Sequence, residues 1–123
     1  MGFFGDLWDA LVEGIKGIWR MCVKAVKAVV DFFADIFNWL SGFFDGDDDD
    51  DKDGVVFNFK ELIDDAKSKG HTIDLGLKKQ KQIGTAVFNN RTGKIEAIKS
   101  IDADSCDKKT NEILAGRKLV VLE

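Results

Sequence analysis

The sequence predicts an α+β protein: a long N-terminal amphipathic α-helix, or a helical hairpin, joined by an acidic linker to a small C-terminal domain of element order β-α-β-β-β-α-β. Three observations predict it. Between Phe3 and Phe44 polar side chains recur every three or four residues, the period of an α-helix. Residues 45–53 hold seven Asp and one Lys, and beyond Gly54 short apolar runs alternate with Gly and Asn turn signals. The expected division is 1–44 as a membrane or assembly segment, 45–54 as an Asp-rich linker and 55–123 as the α+β domain.

In the first segment the polar stripe is Asp6, Asp9, Glu13, Lys16, Arg20, Lys24, Lys27, Asp31 and Asp35. It is about one residue wide per turn, whereas 27 of the 42 residues from 3 to 44 are Ala, Val, Ile, Leu, Met, Phe, Trp or Cys, so most of such a helix would have to leave water. The face that must be covered carries Phe4, Trp8, Leu11, Ile15 and Trp19 in its first half. Its second half carries Val26, Val29, Phe33, Phe37, Trp39 and Leu40. A straight helix of that length runs roughly 63 Å, against a diameter of about 28 Å for a compact 70-residue domain. Gly14 and Gly17 would allow a hairpin, which still leaves one apolar side bare.

The expected cover is therefore lipid or further copies of the chain. The stripe is acidic, then basic, then acidic, and staggered neighbouring helices could match those blocks. A single membrane span is not expected, because the longest uncharged run of this half, Ile36 to Phe44, falls far short of the ~20 residues a bilayer core demands. A cleavable signal peptide is not expected either, since the first charges are acidic. The chain is read as cytoplasmic or membrane-associated.

The Asp run is a solvated hinge by like-charge repulsion. From Asp49 it also offers Asp51, Asp53, Gly54 and Val56 at the spacing of a calcium loop, with Glu61 one place beyond the position of the bidentate ligand. In those residues the segment resembles an EF-hand loop with an insertion. Weak Ca2+ binding by Asp49, Asp51, Asp53 and Glu61 is the expectation, and no other cofactor is implied.

In the last segment Val55 to Phe59 reads as a strand and Lys60 to Lys69 as a helix stopped by Gly70. Ile73, Leu75 and Leu77 alternate as in a half-buried strand. Ile83 to Phe88 and Ile95 to Ile101 flank Asn89-Asn90-Arg91-Thr92-Gly93-Lys94, a hairpin. Asp104 or Ser105 caps a helix over Asp107 to Ala115, and Leu119 to Leu122 is the last strand.

Two cysteines in 123 residues exclude a disulfide-stapled mini-protein. Catalytic candidates are thin. His71 follows a helix-stopping Gly, and the cluster of Asp102, Asp104, Ser105 and Asp107 beside Cys106 is explained by capping and turn chemistry. Lys78, Lys79, Lys81, Arg91 and Lys94 make a modest basic patch beside an acidic linker, a poor phosphate binder, so nucleic acid is not an expected partner. The functional expectation is a non-enzymatic, self-assembling homo-oligomer whose N-terminal helix contacts membrane lipid as a pore or bilayer remodeller, with the C-terminal domain as scaffold or regulator. The alternative is a lipid-free subunit of a tube, shell or filament, or a helix docked on a protein partner.

Overall fold

The structure is a computed structural model describing residues 3–18, 23–44, 52–70, 76 and 78–122, the side chains at 3–6 and 15–18 excepted. In chain order it comprises α1 (Phe3–Ile18), β1 (Val23–Val30), a π-helical stretch (Phe32–Phe37) continued by α2 (Asn38–Ser41), β2 (Lys52–Asn58), α3 (Phe59–Ser68), β3 (Lys81–Asn89), β4 (Lys94–Cys106), α4 (Lys108–Leu114) and β5 (Leu119–Leu122). The strands form one mixed sheet of order β1-β4-β3-β2-β5. β1 runs parallel to β4 and every other neighbouring pair is antiparallel.

The long N-terminal helix is not there. α1 stops at Ile18, and Val23–Val30 is a strand pairing Val23 with Lys99 and Val30 with Cys106. Val-Lys-Ala-Val-Lys-Ala-Val-Val is rich in β-branched residues, which lose rotamer freedom in a helix and suit a pleated surface. The backbone edge of β4 supplies the partner that turns this preference into structure. The 3-residue spacing of Lys24 and Lys27 fits a helix, but tertiary pairing overrides it. Nor does α1 break at its glycines. It runs through Gly14, which sits so near the sheet that a Cβ there would lie 3.3 Å from Ile95.

The expected strand at Val55 to Phe59 begins earlier, at Lys52, so the last part of the Asp-rich segment is sheet: Asp53 lies opposite Phe88, and Gly54 pairs with both Val87 and Leu122. The hairpin closes through Gly93, at φ 71°, whose N–H donates to the Asn89 carbonyl. Asn58 caps α3 by accepting the Glu61 N–H, and Asp107, rather than Asp104 or Ser105, caps α4 by accepting the Thr110 N–H. The expected strand around Ile73 to Leu77 lies outside the described residues, Gly76 apart, as do His71 and residues 45–51.

Each face of the sheet carries its own core. On one, Leu7, Trp8, Leu11 and Val12 of α1 and Leu62 and Ala66 of α3 close over Val55, Phe57, Ala86 and Ile98. On the other, Phe32, Ile36 and Leu40, with Ile113 and Leu114 of α4 at the margin, close over Val56, Ile83, Val87 and Ile101. Eight large apolar side chains of the N-terminal segment, Leu7, Trp8, Leu11, Val12, Val30, Phe32, Ile36 and Leu40, are thus buried by their own chain. No helix among the described residues is long and apolar enough to cross a membrane.

Candidate functional site

The residues expected to form one apolar face fall into three groups. Trp8, Leu11 and Leu40 are buried in the two cores, and Trp39 is half-buried against the second. Val26, Val29, Phe33 and Phe37 remain exposed. Phe4, Ile15 and Trp19 lie outside the described side chains. Six large hydrophobic side chains are exposed among the described residues, and all of them, Val23, Val26, Val29, Phe33, Phe37 and Phe43, come from the stretch between β1 and the end of α2. Among the described residues the apolar surplus is confined to one edge strand and the helical turn that follows it.

The geometry of that edge is simple. β1 ends the sheet, and among the described residues no strand pairs with its outer side. Its register with β4 places Val23, Ala25, Lys27 and Val29 on the face of Ile101 and Ala103, and Lys24, Val26 and Ala28 on the opposite one. Both sides of β1 are largely open, and Val26 is 69% exposed.

The charged stripe is likewise redistributed. Asp31 caps the π-helical stretch by accepting the Phe33 and Ala34 N–H groups, while the buried Asp35 pairs with Lys27 at 3.1 Å and accepts the Asp31 N–H. Lys99 reaches the Asp35 carbonyl, and burial holds its ammonium pKa below the usual lysine value against the attraction of Asp35. Asp9 pairs with Lys69 at 3.6 Å, and Glu13 and Lys24 are exposed. Asp6, Lys16 and Arg20 fall outside the described side chains. The within-chain pairs therefore join β1 to the helical turn and α1 to the end of α3.

The four residues expected to hold calcium are not gathered by the described part of the chain. Asp49 and Asp51 lie outside it, Asp53 sits in β2 and accepts from the Asn90 amide at 2.7 Å, and Glu61 lies in the first turn of α3. Among the described residues no group of three or more His, Cys, Asp or Glu side chains could hold a metal ion. Around Cys106, the Asp102 carboxylate accepts the Lys78 and Lys79 N–H groups, and Asp104 pairs with Lys79.

A second feature escaped the sequence altogether. Where β2 and β4 end and β3 begins, a cavity of about 540 Å3 opens beside α4, lined by Asn58, Glu61, Lys81, Ile83, Cys106, Asn111, Leu114, Ala115, Gly116, Arg117 and Lys118. Gly116, at φ 77°, turns the chain out of α4 and sets Arg117 on the cavity wall. Burial pushes the Cys106 thiol above its ordinary pKa and Asp107 adds to the effect, outweighing the nearby Lys81 ammonium, so this sulfur is held as the thiol. No local motif marks the cavity, because its walls come from five elements far apart in sequence.

Compared with family models, with curated proteins and with solved structures, the chain matches none.

Proposed function

We propose that the protein is a non-enzymatic assembly module that acts as a homo-oligomer, with two copies joined edge to edge through β1. The observation that carries this reading is the confinement of every exposed large hydrophobic among the described residues to Val23–Phe43, on and beside an edge strand. An edge strand of this length and character is a template for another strand. Self-association was expected of a helix. Its seat moves to a strand.

The occupant favoured is a second copy, because the β1 sequence can pair with itself without setting like charges opposite one another. Two antiparallel copies related by a twofold axis normal to the sheet must place like faces opposite one another, so the axis passes at a residue and not between two. Centring on Lys27 sets Lys27 against its own copy, a repulsive contact. Centring on Val26 sets Val26 against Val26, Val23 against Val29, Lys24 against Ala28 and Ala25 against Lys27. That register faces apolar residues together and keeps every ammonium away from its symmetry mate. The result is a continuous ten-stranded sheet.

Sedimentation equilibrium tests this reading. A dimer is expected at micromolar concentration, and Val26→Lys, a change at an exposed position, is expected to yield a folded monomer with an unchanged melting temperature. A wild-type chain that is monomeric throughout, or a Val26→Lys variant that stays dimeric, overturns it. Co-flotation of monomers with anionic vesicles, lost in Phe33→Ser/Phe37→Ser, would assign the same surface to lipid instead.

A further inference from the structure

We propose that the cavity beside α4 binds a small organic anion. A single carboxylate or phosphate monoester group would be held by Arg117 and Lys81, with the apolar body of the molecule laid against Ile83 and Leu114. Its volume, about 540 Å3, lies within the range of small-molecule pockets. What distinguishes it from an ordinary surface hollow is the state of the charges on its walls.

Among the described residues the Lys81 ammonium, the Arg117 guanidinium and the Glu61 carboxylate form no ion pair. Lys118, the third cation of the lining, is engaged elsewhere: its ammonium lies 3.6 Å from Asp65 and 4.3 Å from the centre of the Trp8 ring. The cavity therefore presents two free cations against one carboxylate. That surplus of a single positive charge suits one acid group and disfavours a polyphosphate. A guanidinium offers a planar, two-pronged donor to the oxygens of either acid group, and an ammonium supplies a point charge beside it. Ile83 and Leu114 give the remainder of the ligand a surface that water solvates poorly. Cys106, kept as a thiol, adds a neutral wall and no second negative charge.

The proposal does not rest on self-association through β1. It is tested on the full chain by following backbone amide resonances during titration with hexanoate, with hexyl phosphate and with inorganic phosphate. Saturable shifts at Lys81, Ile83, Leu114 and Arg117 are expected with hexanoate or hexyl phosphate, and whichever binds more tightly names the acid group. Arg117→Ala and Lys81→Ala are expected to weaken binding by about tenfold each, and Glu61→Gln to strengthen it. All three positions are exposed, so an unchanged melting temperature verifies that the variants fold. Absence of saturable shifts with either organic anion, equally tight binding of inorganic phosphate, or binding indifferent to Arg117→Ala and Lys81→Ala overturns the proposal.

Discussion

Trp8 donates its indole N–H to the Asp65 carboxylate at 2.6 Å, fastening α1 to α3 across a distance of 57 residues in sequence. The ring is almost wholly buried, and Lys118 lies over its face while also approaching Asp65. A charge-assisted bond from a buried donor loses more when broken than an exposed one. Trp8→Phe is expected to lower unfolding free energy by roughly 1–3 kcal/mol in urea titrations. In a double-mutant cycle with Asp65→Ala the two losses are expected to be less than additive, since either change removes the same bond.

Gly84 is required by contact and not by conformation. A Cβ at this β3 position would overlap the rings of Phe57 and Phe59, which stack with centroids 5.4 Å apart in the centre of the first core. Gly84→Ala is expected to cost about 1–3 kcal/mol or more, because close-packed aromatic rings have nowhere to retreat. Pairing it with Phe57→Leu, which frees space at the point of overlap, is expected to recover part of the loss by thermal denaturation.

Asp107 predicts acid lability. Its carboxylate is held below the usual aspartate range, first by the Thr110 hydroxyl beside it and then by the amide N–H groups of Thr110 and Phe32. A depressed folded-state pKa means that the stabilisation is complete above the unfolded value and disappears as pH falls through the folded one. The melting temperature is therefore expected to fall as the pH is lowered from ~5 through ~3, and Asp107→Asn, which keeps the helix cap without its proton equilibrium, to flatten part of that fall.

How much of this could be read beforehand differs from element to element. The hairpin between β3 and β4 was legible because Asn89 and Gly93 punctuate two β-branched runs, and the body of α3 because Gly70 stops it, although its cap at Asn58 was read as strand. β1 was not. An alternating pattern arises only when one face of a strand is buried along its length, and here only Val30 is buried and Ala25 half-buried, leaving a spacing that matched a helix. The same property explains why the apolar count of residues 3–44 overstated the surface left bare: Leu7, Leu11, Phe32 and Ile36 line two opposite faces of a sheet, an arrangement that a single helical wheel does not contain. Of the residues expected to face lipid or neighbours, those with described side chains that stay exposed are the four on β1 and the π-helical stretch. The cavity was illegible because Lys81 and Arg117 meet only through the order of the strands.

The pairing of Val23 with Lys99 also has a temporal side. β1 leaves the ribosome long before its one neighbour in the sheet has been made, an interval of roughly 4 to 15 seconds at ordinary elongation speeds. Throughout that wait its valines have no strand to lie against, and the nascent chain cannot finish folding from its N-terminus onward. Of the strand pairs only β3–β4 is a hairpin built from contacts close in sequence, so β1 has its place in the sheet only once that hairpin exists.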